Sequence, residues 1–227
     1  GVADLQYIQN VNMAFTYYEG HNQQPNFRKS IDKKVCEYSM ASWIRKGEIE
    51  ATKIQTEQFS KQKVEEIIPE MKKLSTVNSS ENIEQLKELC RTAGIALVII
   101  PHLSKTYVYG VSKWIGKDKA LIILSNKGKK LDTFWFNFFH ELGHILKHGK
   151  KEIFINAEET KEIDLESEAN SFAKNTLISA KEFKKITEME KTKENIVKYA
   201  VEIGVHPSII VGRLQYDKII PYSSKLK

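Results

Sequence analysis

The residues of this chain best suited to chemistry stand in one run, Phe138-Phe139-His140-Glu141-Leu142-Gly143-His144-Ile145-Leu146. It is a His-Glu-x-x-His unit in a strongly apolar setting. On a helix, residues four apart lie one turn above each other, so both imidazoles can aim at a single ion about 2.0–2.1 Å from each nitrogen. Glu141 stands about 100° round the helix from His140, where it can reach a water at that ion without becoming a ligand. That is the place of a general base. With 6 His and 23 Glu among 227 residues, about 0.016 such units are expected by chance. The plain alternative, two ordinary histidines near a core, would not require the intervening Glu. The implied chemistry is metal-assisted hydrolysis: zinc lowers the pKa of its water toward about 7 while Glu141 takes the proton and passes it to the leaving amine.

Such a site needs a third protein ligand. His148 lies four residues after His144 but about 12 Å along the axis from His140, too far to share an ion with both. It reads as a surface histidine near a helix C-terminus, where positive charge is favoured. The longer signature with a third histidine needs Gly at Lys147 and His at Lys150, which this sequence excludes. A carboxylate from the following acidic run remains: Glu158, Glu159, Glu162, Asp164, Glu166 or Glu168. Leu165, Ala169, Phe172, Ala173 and Leu177 mark the apolar face of the next helix, centred about 45° from Leu165; Glu166 falls at about 100°, inside the stripe, and Glu168 at about 300°, at its edge. A carboxylate within an apolar stripe is costly to bury without a partner, and an ion would be that partner. Glu166 is therefore the expected third ligand, with Glu168 as the fallback. Two imidazoles and one carboxylate suit Zn2+, and the sequence leaves zinc or manganese open. A donor for the developing oxyanion could come from Tyr107, Tyr109, His206 or Arg213. Sequence does not choose among them; His206 is carried as the catalytic candidate beside Glu141, and it also reads as the cap of the last helix.

The elements that must position these groups can be read from periodicity. Residues 1–30 show no clean period. Val35, Met40, Trp43 and Ile44 recur near helical spacing, and a charged, Gln-rich helical pattern runs over 51–74 until Pro69 interrupts it. Ser80 offers an N-cap for a helix ending at Gly94. Strands are predicted over 95–100, 107–115 and 120–124, short, β-branched or aromatic, and separated by breakers. Asp132 can cap a helix running to about His148. Further helices are expected over 163–177, 180–186, 193–203 and from Pro207 to about Tyr216. Helices, then a small sheet, then helices is an α+β arrangement.

The composition, 41% hydrophobic and 28% charged, is that of a folded globular protein. The formal charge of +6 comes from scattered lysines, a solvated surface rather than a nucleic-acid groove, because a stripe of Arg and aromatics is missing. Cys36 and Cys90 have no metal-ligand spacing and read as reduced thiols. No apolar run approaches the roughly 18–20 residues of a membrane span, and no leader stands at the N-terminus, so a cytoplasmic protein is expected. The segment from Ala200 to Leu214, a helix, a Gly turn and a second helix, resembles a helix-turn-helix and supports a competing reading as a non-catalytic regulator.

At the motif, and at Glu166-Ser167-Glu168-Ala169-Asn170-Ser171-Phe172-Ala173, the chain resembles the ImmA/IrrE metallo-endopeptidases, which combine H-E-x-x-H with a later E-x-x-A-N-x-F-A segment. The likeness extends to Trp135-Phe136-Asn137, to residues 41–48 and to residues 206–215. It implies Glu166 as third ligand, in agreement with the helix-face argument. It implies a zincin-like fold with a small mixed or antiparallel sheet, an active-site helix and additional helices. The expected division is a mainly helical region over 1–75 and a metallopeptidase domain with a helical C-terminal part over 76–227. The resemblance further implies a gluzincin-like, zinc-dependent endopeptidase that cuts a regulatory protein such as a transcriptional repressor. The alternative is a transcription regulator or antitoxin module retaining the peptidase fold. The subgroup it resembles carries a preceding helix-turn-helix domain of the XRE type, and none is recognisable before Phe27, so the chain reads either as a fragment or as a stand-alone relative. Nucleic-acid contact is expected only through such a domain. One departure is Asn175-Thr176-Leu177-Ile178-Ser179, where the family often has Leu-Leu and Pro, which bears on the shape of the substrate channel.

Overall fold

Period-two alternation in three short strands divides the molecule into two cores. A computed structural model describes residues 26–29, 36–103, 106, 108–125, 130–148, 159–224 and 226. In chain order these form β1 (Asn26–Lys29), α1 (Glu37–Thr52), α2 (Lys61–Lys73), a 3-10 turn (Leu74–Thr76), α3 (Ser80–Thr92), β2 (Ile95–Ile100), β3 (Val108–Ile115), β4 (Lys119–Ser125), α4 (Leu131–His148), α5 (Glu159–Leu177), α6 (Ala180–Glu188), α7 (Lys193–Ile203) and α8 (Pro207–Tyr216). The class is α+β, and of the two sheet types expected the mixed one is found. The strand order is β1-β3-β4-β2. β2 pairs parallel to β4, with Ile95 opposite Ala120 and Ile100 opposite Ser125. β3 runs antiparallel to β4, with Gly110 opposite Leu124, and β1 runs antiparallel to β3. The β3–β4 turn contains Gly116 at φ 66°, a left-handed conformation that glycine adopts without steric cost.

On one face Ile95, Leu97, Ala120, Ile122 and Leu124 meet Trp135, Phe138, Phe139 and Leu142 of α4. On the other, Ala96, Val98, Leu121 and Ile123 meet Trp43, Ile44 and Ala51 of α1. Each large apolar side chain so buried contributes about 1.5–3 kcal/mol. α1 lies close on the sheet because residue 47 is glycine; a Cβ there would stand 2.3 Å from Ile123 Cδ1. The Trp43 indole donates to the Pro101 carbonyl at 3.0 Å. Val64 and Met71 of α2 reach the α4 side of the sheet.

Local signals account for most boundaries. Ser60, Ser79, Ser179 and Thr192 each cap a helix by accepting from a backbone amide three residues on, which satisfies a donor the helix leaves open. For α3 the cap is Ser79 rather than Ser80, a one-residue correction within a Ser-Ser pair. Pro69 does not interrupt a helix that began before it. α1 ends at Thr52, a new cap at Ser60 starts α2, and Pro69 is accommodated inside that helix. Glu65, whose carbonyl loses its donor to Pro69, is exposed, so water can serve it. α4 starts at Leu131, one residue before the expected cap Asp132. Among the described residues Cys36 and Cys90 are free thiols, and no helix is long and apolar enough to cross a membrane.

Candidate metal centre

α4 is a core helix. From Trp135 to Leu146 every side chain but Phe136 is buried, because the sheet, α5 and α8 all pack against it. In this setting His140 and His144 lie one turn apart, with Nε2 to Nε2 at 3.1 Å. Glu166, from α5, brings Oε2 to 3.4 Å from His140 Nε2 and Oε1 to 3.1 Å from His144 Nε2. Three ligand atoms bonded at about 2.0–2.1 Å in a tetrahedral site stand about 3.4 Å apart. One nitrogen from each imidazole and a carboxylate oxygen thus lie at the mutual spacing that one ion requires. Among the described residues these three form the one such group of His, Cys, Asp or Glu.

α5 can come this close because Gly143 faces it. A Cβ at 143 would lie 3.0 Å from Phe172 Cδ1 and 3.3 Å from the Ala169 Cα. Helical period then turns Glu166 inward and leaves Glu168 outward, with its side chain 63% exposed. Of the remaining acidic candidates, Asp164 is exposed, while Glu158 and the side chains of Glu159 and Glu162 lie outside the described residues.

Glu141 lies against β3 of the sheet, within electrostatic reach of His140, His144 and Glu166. It is fully buried, and among the described residues neither carboxylate oxygen has a hydrogen-bond partner. Gly110 of β3 makes the space it occupies: a Cβ at 110 would stand 2.7 Å from Glu141 Oε1, 2.8 Å from its Cγ and 3.0 Å from Leu124 Cδ2. Sequence reasoning missed Gly110. Its signal was present, a glycine inside a strand pattern, which marks a close approach by another group.

The electrostatics follow from burial and neighbours. Burial pushes the Glu141 carboxyl up, against the pull of His140, His144 and the nearby Ser112 hydroxyl and with the Glu166 charge adding to the push. For Glu166 burial also acts upward, but hydrogen bonds to His140 and His144 and their charges outweigh it and hold the carboxyl at about 2. For His144 burial acts downward, yet its bond to Glu166 and the charges of Glu141 and Glu166 leave it raised. The two carboxylates of one site are thereby pushed in opposite directions, Glu166 down and Glu141 up.

His148 is a correction. It is not a surface residue but 4% exposed, because α5 covers the last turn of α4. Its Nδ1 lies 2.9 Å from His144 Nδ1 and its Nε2 3.3 Å from Glu168 Oε2. The distance argument that removes it from the ion holds; the inference that it faces water does not.

His206 stands outside the metal group. It is the N-cap of α8, its Nδ1 accepting from the Ser208 amide at 3.1 Å and meeting the Ser208 hydroxyl at 2.8 Å. Its own amide donates to the Ser75 carbonyl. Arg213 pairs with Asp217 at 2.5 Å and lies 4.2 Å over the Phe183 ring. Tyr107 lies outside the described residues. Tyr109, beside Gly110, lines two adjoining cavities of about 320 and 370 Å³. The first is bordered by Phe136, whose ring stacks on His140, and by Leu177 and Ile178 of the segment that departs from the family's usual sequence.

Residues 90–215 match the family profile of the IrrE N-terminal-like domain, peptidase M78. The chain belongs to this peptidase family. The match runs from the end of α3 into α8 and takes in β2–β4 and both helices that carry the three ligand atoms. The class of chemistry this M78 member inherits is that of a metallopeptidase. No curated protein and no solved structure gives a match to it.

Proposed function

We propose that this chain is a zinc-dependent endopeptidase that cuts a regulatory protein such as a transcriptional repressor. The observation that carries the catalytic reading is the pairing of a three-donor cluster with Glu141, a fully buried carboxylate on the same helix as the two imidazoles and electrostatically coupled to all three donors. A carboxylate so buried is costly unless the site uses it. His140, His144 and Glu166 would hold the ion, three protein ligands being the number found in catalytic rather than structural zinc sites. A zinc ion held by these three residues would supply Lewis-acid chemistry, polarising a carbonyl and lowering the pKa of a water toward about 7.

The chain's own residues supply the rest. Glu141 takes the proton of the attacking water and returns it to the leaving amine, a role for which its raised pKa fits it. Gly110 and Leu124 hold that carboxylate in place. Glu166 stays ionised and keeps both imidazoles turned toward it. Tyr109 is the donor we assign to the developing oxyanion, because it adjoins Gly110, the residue packed on Glu141, and lines both cavities, one of them bordered by the Phe136 ring that stacks on His140. The regulatory substrate and a cytoplasmic location rest on the family resemblance. Free thiols at Cys36 and Cys90 fit a reducing compartment.

The competing reading, a regulator using residues 200–214 as a helix-turn-helix, is disfavoured by burial. α8 has no exposed residue before Tyr216, with Ile209, Ile210, Val211 and Leu214 in the core, and a recognition helix must offer a face to the groove. Glu141→Gln tests the enzymatic reading. It should keep one zinc per chain and slow cleavage of co-expressed candidate repressors by about 10²–10⁴-fold. Undiminished cleavage by this variant refutes the proposal, and a purified protein without zinc favours the regulator.

A further inference from the structure

α4 carries a third imidazole that the metal reading leaves unused. His148 is buried against α5, with Nδ1 2.9 Å from His144 Nδ1 and Nε2 3.3 Å from Glu168 Oε2. Only one proton can stand between two ring nitrogens, so this contact ties the tautomers of the two rings together. His144 turns Nε2 toward His140 and Glu166. If that nitrogen is to give its lone pair to an ion, the neutral ring must carry its proton on Nδ1. The Nδ1–H then donates to His148 Nδ1, which must be bare, and the proton of His148 must sit on Nε2. There it faces Glu168, whose carboxylate can only accept. The opposite arrangement, with His148 Nδ1–H donating to His144, places the His144 proton on Nε2 and blocks the ligand atom.

We propose that His148 and Glu168 are positioning residues that hold His144 in its metal-binding tautomer and ring orientation. This rests on the proposed metal site, and the divalent ion itself is the ligand served. His140 differs: among the described residues its Nδ1 has no hydrogen-bond partner, and its ring is steadied by the stack with Phe136, 6.3 Å between centroids at 25°. Among the described residues the support is therefore built on His144 and not on His140. Outer partners of this kind fix ring orientation and raise ligand basicity. Glu168 is 63% exposed, so water shares its hydrogen bond and its removal acts less strongly than removal of His148.

The test uses the full chain, zinc affinity measured against a chromophoric chelator, and the visible spectrum of the cobalt-substituted protein. His148→Leu should weaken zinc by about 10–100-fold and shift the cobalt bands. His148→Asn, whose side-chain oxygen can accept from the same Nδ1–H, should recover most of the loss. Glu168→Ala, at an exposed position that does not burden folding, should fall between. Equal losses in the Leu and Asn variants would assign the effect to packing and overturn the proposal. So would wild-type affinity and spectrum in Glu168→Ala together with His148→Asn and His148→Leu. His144→Ala separates the two levels: zinc binding that survives it removes the metal site and this inference with it, whereas binding that is lost there but untouched by the position-148 and -168 variants removes this inference alone.

Discussion

Glu141 and Gly110 show how much of a site can depend on an absent methyl group. Alanine at 110 would put a carbon 2.7 Å from Glu141 Oε1, with Leu124 Cδ2 at 3.0 Å closing the other side, so the carboxylate has to move. Displacing a reacting group by about 1 Å costs on the order of 10²-fold. Gly110→Ala is therefore expected to lower kcat by about that factor while leaving zinc content unchanged, since the ligands stand on α4 and α5. Steady-state cleavage alongside metal analysis checks this, and an unaltered kcat would mean the carboxylate acts from elsewhere. At this scale His140, Glu141 and His144 were legible because their relation is internal to one helix turn. Glu166 was legible because a charge inside an apolar stripe needs a partner. Gly110 and the burial of His148 were not, since each depends on an element distant in sequence.

Between elements the decisive contact is that of α4 with α5, and Gly143 permits it. Gly143→Leu must displace Phe172, whose Cδ1 would already be 3.0 Å from a Cβ. The expected result is about 1–3 kcal/mol of destabilisation from overpacking. It should come with weakened zinc binding, because moving α5 carries Glu166 away from the imidazoles; denaturant titration and chelator competition read the two effects. A control of similar size lies in α6, which carries none of the ligands. Ser179 and Glu182 form a reciprocal capping box, and Ser179→Ala should cost about 0.5–2 kcal/mol with zinc affinity intact. Loss of zinc in that variant would show that affinity merely follows global stability. Ser60, Ser79, Ser179 and Thr192 are local cap signals; the periodicity over 51–74 passes over the first, and the sequence places the second one residue late. Pro69 could not be read locally, because its tolerance depends on Glu65 facing water.

For the whole molecule, the two cores on either side of the sheet bury large apolar side chains that owe nothing to the ion. Trp135, Phe138, Phe139 and Leu142 pack under the sheet, and Trp43 and Ile44 over it, all at most 2% exposed. Small zinc modules, by contrast, unfold without their metal. Chelation should remove activity yet leave a single cooperative thermal transition, lowered by about 3 kcal/mol of stability for an ion present at 100 times its Kd. A chelated protein without a cooperative transition would contradict this. Acting alone, the sequence determined what lies on one face of one element: the imidazole pair, the carboxylate in its stripe, the strands and the capped helices, all set by periods of two and 3.6 residues. The tertiary structure alone decided what covers each face, namely the order β1-β3-β4-β2, Gly110 over Glu141, and α5 over His148. Those contacts join residues far apart in the chain, and they follow from how the apolar faces pack together rather than from spacing along any one segment.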